Sequence, residues 1–339
     1  MKAVGYYKSL PISEAESLVD VEIPKPEVSG RDLLVRVKAV SVNPVDIKTR
    51  QDREGDGKLQ ILGYDASGIV EMIGDEVTLF KPGDEVYYAG DHSRPGTNME
   101  YHLVDERITG RKPASFGFKE AAAMPLTTIT AWESMFERLL ISRIPAENEG
   151  KSVLIINGAG GVGSIAMQLA KKLAGLRVVA TASRTETEEW CRKMGADQVV
   201  NHHKPMADEF RHQNLPEPDY ILCFNNTAMH MKNMADVIKP QGRICAIDSI
   251  RGEATGDLNI FKSKSISFSW EFMFTRSAFK TFDMVKQHQL LNEAAGLFDK
   301  GVLICTKNEE GGWLNAENLK KAHKRIESGS MIGKLVLSV

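Results

Sequence analysis

The sequence predicts an α/β protein in two parts: a β-rich part, and a doubly wound parallel sheet with helices on both faces. Three observations carry this. Short valine-rich runs lie close together ahead of Phe118. From Lys151 onward, apolar runs of strand length alternate with helical patterns, which argues for parallel strands covered on both sides. Between the first strand and the first helix of that alternation, "GAGGVG" (Gly158 to Gly163) puts four glycines into six residues.

The elements follow in order. "DLLVRVKAVSV" (Asp32 to Val42) is dense in valine and leucine and partly alternates with charge, the pattern of a strand. "ASGIVEMIG" (Ala66 to Gly74) and "DEVYYAG" (Asp84 to Gly90) flank the turn "KPGD", where Pro then Gly suits a tight reversal. "NMEYHLVD" (Asn98 to Asp105) reads as a further strand, and "RQDREGDGK" (Arg50 to Lys58) as a charged surface loop. Lys119 to Leu140 has helical spacing interrupted by Pro125, so two helices are expected to meet there. The parallel strands are drawn at Ser152–Asn157, Arg177–Ala182, Gln198–Asn201, Asp219–Phe224, Arg243–Asp248 and Ser265–Trp270. Helices are expected at Phe279–Gln289 and Ala316–Glu327, and a last strand at Lys334–Ser338 returns to the first part.

Composition narrows the function. Apolar content of 42%, charged content of 26% and a net charge of -2 over 339 residues are those of an ordinary globular chain. With no long basic block, nucleic acid is not an expected partner. No apolar run reaches the roughly 18–20 residues that span a bilayer, and the N-terminus lacks an apolar core of signal-peptide type. The expectation is a cytoplasmic protein with no membrane partner. The four cysteines, Cys191, Cys223, Cys245 and Cys305, lie far apart, which suits buried thiols in a reducing compartment.

Gly158, Gly160 and Gly163 form G-x-G-x-x-G directly after the apolar strand "SVLIIN", with Gly161 and Val162 between them and a helical pattern following. In that context the motif binds a dinucleotide. The first glycine allows the turn, the second lets pyrophosphate approach the main chain, and the third lets helix and strand pack. The helix N-terminus then offers N–H groups and partial positive charge to the anion. The second strand ends at Ser183 and Arg184, where enzymes that use NAD carry an acidic residue. An arginine there pairs with a ribose 2′-phosphate, so NADP(H) is the expected cofactor.

The order of segments resembles the medium-chain dehydrogenase/reductase superfamily, and within it the zinc-type alcohol dehydrogenase-like proteins of the quinone oxidoreductase branch. "VSVNPVDIKTR", "LGYDASGIVEMIGDEV", "FKPGDEVYYAG", "AAAMPLTTITAWESMF", "VLIINGAGGVGSIAMQLAK", "ASRTETEEWCRKMGADQVVNH", "IKPQGRICAID" and "IGKLVL" carry the resemblance over nearly the whole chain. It implies a GroES-like catalytic domain over 1–122 and 273–339, and a Rossmann NADP(H)-binding domain over 123–272. It also implies an active site between the two domains and a homodimer or homotetramer.

Zinc-using members hold the metal with a cysteine, a histidine–glutamate pair and a further residue. Here Asn43 stands for the cysteine, and Tyr64 and Asp65 for the pair. A catalytic zinc needs about three N, S or carboxylate ligands, so no metal is expected, although Asp46, Asp65 and His92 are conceivable ligands. Without a Lewis acid, reduction of an activated acceptor is favoured over simple alcohol oxidation. The resemblance places Asn43 and Tyr64 near the nicotinamide. There the Asn43 amide is a donor to a developing enolate, and the Tyr64 hydroxyl a donor or proton relay. The competing accounts are a turn before Pro44 and plain packing. The resemblance also assigns cofactor contact to Thr130, with Thr127 as second candidate, and to Lys334, which is otherwise a solvated residue. Asn225 and Asp248 fall at the carboxyl edge of the sheet, where such folds bind ligands. Phe268, Trp270, Phe272 and Phe274 alternate at strand spacing and read as interface and pocket wall, or as edge-strand core. The expected function is zinc-independent, NADPH-dependent reduction of a small apolar quinone or α,β-unsaturated carbonyl. The alternatives are an alcohol or aldehyde dehydrogenase-like reductase and a non-catalytic NADPH-binding sensor or structural protein.

Overall fold

The structure, a computed structural model, describes residues 1–55, 57–249 and 257–339. Contacts divide it into two units, Met1–Ile129 with Phe274–Val339, and Thr130–Met273. The sequence placed the breaks at 122/123 and 272/273.

The first unit opens with β1 (Lys2–Tyr6), which pairs antiparallel with β2 (Val19–Glu22). β3 (Asp32–Val42) follows and is buried along most of its length. α1 (Pro44–Asp52) begins directly after it, with Pro44 in the first turn and a reciprocal capping box between Asn43 and Asp46. α1 thus takes up Arg50 to Asp52, which the sequence had suggested as loop, and Asp56 lies outside the described residues. β4 (Gln60–Ile61) joins β1. β5 (Asp65–Ile73), β6 (Glu85–Tyr88), β7 (Tyr101–Asp105) and β8 (Thr109–Arg111) come next. α2 (Phe118–Ala122) and α3 (Pro125–Trp132) then meet at Pro125, as expected, and the chain continues in wider π-helical turns over Glu133–Arg138.

The second unit alternates strand and helix. Its elements are β9 (Ser152–Ile156), α4 (Gly161–Lys172), β10 (Arg177–Thr181), α5 (Thr185–Lys193), β11 (Gln198–Val200), α6 (Met206–His212), β12 (Tyr220–Cys223), α7 (Thr227–Val237), β13 (Arg243–Ala246) and β14 (Ser267–Trp270). The six strands pair in parallel in the order β11-β10-β9-β12-β13-β14. That is the strand order of the Rossmann fold. β9 at the centre is buried at every residue, as a strand covered on both faces must be. Leu154, Ile156, Val179, Val200 and Ile221 share one core with the helices packed on them.

The chain then returns to the first unit through α8 (Thr275–Ala278), α9 (Val285–Asp299), β15 (Lys307–Trp313), α10 (Ala316–Glu327) and β16 (Lys334–Ser338). β16 pairs antiparallel with β3, in a seven-stranded sheet ordered β15-β16-β3-β5-β6-β8 with β7 on β3. Two expectations need correction. The helix expected from Phe279 starts only at Val285, because Lys280 adopts a left-handed φ of 47° and Asp283 ties the turn to Thr281 and Arg276. The aromatic alternation is not one strand. β14 stops at Trp270, Phe272 is exposed, and Phe274 is buried in the first unit. All four cysteines are free thiols. Among the described residues, no helix is long and apolar enough to cross a membrane.

One core residue is placed against its own chemistry. His323 on α10 is fully buried, and neither ring nitrogen has a hydrogen-bond partner. Burial, with the Arg50 cation nearby, lowers its pKa from 6.5 to about 3. The unfolded chain therefore takes up a proton below pH 6.5 that the folded chain refuses. The corresponding stability is complete above pH 6.5 and is lost as pH falls toward 3. His323→Leu should raise stability at pH 7 by about 1–3 kcal/mol, by removing unpaired buried polar atoms. It should also abolish roughly 2 kcal/mol of the loss between pH 7 and pH 5. Urea denaturation at the two pH values measures both.

Candidate functional site

In the first unit, the ends of three adjacent strands bring Asn43, Asp65 and Lys334 together. Asn43 follows β3, Asp65 opens β5 and Lys334 opens β16. All three are buried. The Lys334 ammonium donates to Asp65 Oδ2 at 3.0 Å, to the Val42 carbonyl at 3.2 Å and to Asn43 Oδ1. Asn43 Nδ2 donates to the same Asp65 oxygen at 2.9 Å and to the Ser41 carbonyl at 3.4 Å. The other Asp65 oxygen accepts the Leu126 N–H at 2.7 Å, at the start of α3.

Asp46 forms a second layer. Its oxygens accept the Asn43 N–H at 2.6 Å and the Gly63 N–H at 3.1 Å. Burial pushes its carboxyl up to about 7, with the Asp65 charge adding to the rise and Lys334 opposing it. Tyr64 packs beside this cluster, its hydroxyl 3.4 Å from Thr49 Oγ1. Burial pushes its phenol up to about 12, so it keeps its proton at any working pH. Its ring stacks on His92 at 5.7 Å and packs on Phe274 at 4.9 Å, giving the site an aromatic wall.

Two sequence expectations change here. Both Asn43 amide hydrogens are already engaged, so the side chain anchors Asp65 and Lys334 rather than presenting a spare donor. Lys334 is not solvated, since it is 3% exposed and its ammonium is held by three oxygens. The donor set does not fit zinc. A cation already sits on Asp65 and on the Asn43 oxygen, and Asn43 and Tyr64 replace the soft and imidazole donors zinc prefers. Among the described residues, no three His, Cys, Asp or Glu side chains gather to hold a metal. Asp46, weighed in the sequence as a conceivable metal ligand, instead caps α1 and accepts the Gly63 N–H, and Asn-Pro-x-Asp at the mouth of a helix is a capping-box signal for that role.

In the second unit the glycine stretch joins β9 to α4. The left-handed residue of that turn is Asn157, with φ 66°, and not the first glycine. Gly158 is required by close packing, since a Cβ there would lie 2.9 Å from the Ala180 methyl and 3.0 Å from Cys191 Sγ. A Cβ on Gly163 would lie 2.4 Å from the Asn157 carbonyl oxygen and 2.5 Å from that of Gly158. Gly160 is the helix N-cap, and Gly161 and Val162 form the first turn with Gly163. This bare backbone at a helix start fits a pyrophosphate. Ser183 is half-buried at the end of β10, and Arg184 is exposed at the N-cap of α5. Asn225 is exposed after β12, while the Asp248 carboxylate accepts the Asn226 N–H at 3.0 Å. These residues all lie at the carboxyl edge of the sheet. Thr130 is buried within α3, and the Thr127 hydroxyl donates back to the Met124 carbonyl. A cavity of about 480 Å³ in the first unit is lined by Arg53, Ser93, Arg94 and His102 among others, and by none of Asn43, Tyr64, Asp65 or Lys334.

The glycines make a graded prediction. Gly163→Ala forces Cβ onto rigid backbone, so it should lower the melting temperature and abolish dinucleotide binding together. Gly160→Ala meets only the Asn157 side chain, at 2.8 Å. It should leave the melting temperature nearly unchanged and weaken NADPH and NADH binding by about tenfold or more. Thermal denaturation and calorimetric titration of the two variants check this.

Residues 29–134 match the alcohol dehydrogenase GroES-like domain family, and residues 161–287 match the zinc-binding dehydrogenase family. The chain is 47% identical, over all of both sequences, to a zinc-type alcohol dehydrogenase-like protein of Staphylococcus aureus strain MSSA476. The crystal structure of a putative zinc-dependent alcohol dehydrogenase from Rhizobium etli CFN 42 superposes with a TM-score of 0.94 at 49% identity, covering 100% of this chain and 98% of that one. An NADPH-dependent alkenal/one oxidoreductase of Arabidopsis thaliana is 34% identical over 258 residues, 73% of this chain and 62% of that protein.

Proposed function

The chain belongs to the medium-chain dehydrogenase/reductase superfamily, and on that premise we propose that it is a zinc-independent, NADPH-dependent reductase of quinones or α,β-unsaturated carbonyls. The observation that carries the reading is the buried Lys334 ammonium on Asp65 and Asn43, at the positions where zinc-using relatives carry ligands. The name of the Arabidopsis relative, an NADPH-dependent alkenal/one oxidoreductase, agrees with this cofactor and acceptor class. Arg184 and Ser183, in place of an acidic residue after β10, favour a phosphorylated ribose.

When bound, the dihydronicotinamide supplies a hydride to an electrophilic carbon conjugated to a carbonyl. The chain's residues do the rest. Gly158 to Gly163 and the start of α4 hold the pyrophosphate, with Thr130, Asn225 and Asp248 as further cofactor contacts. Tyr64 is the hydrogen-bond donor to the oxygen on which charge develops. It keeps its proton at neutral pH and is held between His92, Phe274 and Thr49. Asn43, Asp65, Lys334 and Asp46 position the loop that carries Tyr64 and keep its surroundings dry and preorganised. The aromatic wall suits an apolar acceptor over a charged one.

NADPH oxidation should be seen with quinones or enones, and a chelator should leave it unchanged. Tyr64→Phe should lower kcat by about 10²-fold with little change in KM, the loss expected for one donor to a developing oxyanion. Turnover confined to aldehydes or alcohols and abolished by the chelator would overturn the reading.

A further inference from the structure

A cluster of histidines lies at the carboxyl edge of the second unit's sheet, and the reading above gives it no role. β10 and β11 pair with Thr181 opposite Val200, and the Ala182 N–H donates to the Val200 carbonyl at 3.1 Å. Ser183 and His202 each stand two residues beyond that pair, at the same edge of the sheet. A turn about Asn201 holds the next residues, because the His203 N–H donates to Asn201 Oδ1 at 2.9 Å and the Lys204 N–H to the Asn201 carbonyl. The His202 and His203 rings are 4.5 Å apart. His230, from the first turns of α7, brings a third ring to 6.5 Å from His202.

The cluster is incomplete as a hydrogen-bonded structure. His230 is 4% exposed. Its Nδ1 and that of His202 are both buried and without partners. A buried polar atom left unpaired costs about 1–3 kcal/mol, a cost that a bound partner relieves. Imidazoles this close, tilted and edge-on to His202, repel one another when charged, but they can share an anion. Burial and the neighbouring rings hold His202 and His230 below the ordinary imidazole range, so both are neutral at pH 7 without a ligand. The charged groups on the surrounding elements are largely matched: Lys204 with Glu209, Asp208 with Arg211, and Lys232 with Asp236. Arg184 and Glu186 stand at the start of α5.

We propose that His202, His203 and His230 form a phosphate-monoester subsite that works with Ser183 and Arg184 to hold the ribose 2′-phosphate of NADP(H). This rests on the NADP(H) reading and deepens it. A phosphate monoester carries close to two negative charges at neutral pH. Its arrival beside neutral imidazoles favours their protonation, so NADPH should bind with uptake of a proton from solution and NADH without it. Discrimination between the two cofactors should then sharpen as pH falls from 8 to 7.

Isothermal titration of NADPH and NADH at pH 7, in two buffers of different ionisation enthalpy, reads affinity and proton uptake together. Wild type should bind NADPH more tightly than NADH and take up a substantial fraction of a proton with NADPH only. His203→Asn, an exposed substitution, and His202→Asn should each weaken NADPH binding by about tenfold and leave NADH binding unchanged, and His202→Asn should also reduce the proton uptake. If Arg184→Ala loses the NADPH preference while both histidine variants keep wild-type affinity and proton uptake, the subsite is overturned and the NADP(H) reading stands. If wild type binds NADH as tightly as NADPH, the NADP(H) reading fails and the subsite with it.

Discussion

An ammonium and a carboxylate can be buried together only if every remaining donor and acceptor around them is also satisfied, and the first unit is built around meeting that condition. Lys334 and Asp65 are 3% and 0% exposed, with Nζ 3.0 Å from Oδ2. Such a pair roughly breaks even against its desolvation, and becomes costly when one partner is lost. Asn43 closes the set, because its amide donates one N–H to the carboxylate and its amide oxygen accepts from the ammonium. The pair therefore fixes the relative positions of β3, β5 and β16 at one edge of the sheet, and through Leu126 it reaches α3.

The same arrangement decides what chemistry the site can perform. A metal and an ammonium compete for the same lone pairs, and here the ammonium comes from the chain itself. Positive charge is present, but it is buried and neutralised locally by Asp65. On the proposed reading, stabilising a new charge on substrate oxygen falls to neutral donors in a dry, aromatic setting, and Tyr64, whose phenol burial pushes up to about 12, is the proposed one. In the second unit the glycine turn works through exclusion. Gly158 and Gly163 are bare because neighbouring backbone and side chains already fill the space a Cβ would take.

Most of the second unit was legible in the sequence, because continuous apolar strands and helical spacing alternate there without interruption. α10 and β16 matched residue for residue, and α2 and α3 met at the proline that separates them. The failures have local causes. β15 reads "KNEEGGW", with no apolar alternation, and exists only because β16 offers it a partner through two register shifts. β1 and β2 are only five and four residues long and were passed over for their shortness. The helix placed at Phe279 ignored a left-handed lysine that no spacing rule reveals. The aromatic alternation crossed from a strand of one unit into the core of the other. At the site, Asn43, Tyr64 and Asp65 were found by position, but Lys334 comes from the far end of the chain. Nothing in the sequence joins it to them except the antiparallel pairing of β16 with β3.

The central claim is that Lys334 and Asp65 act as one buried unit in place of a metal site. A double-mutant cycle with Lys334→Met and Asp65→Asn, read by urea denaturation, tests it most directly. Each single change should cost about 3–5 kcal/mol, by stranding its partner or the groups bonded to it. The double variant should then be no less stable than either single one. Additive losses in the double variant would mean that the two groups do not depend on each other, and would contradict the account.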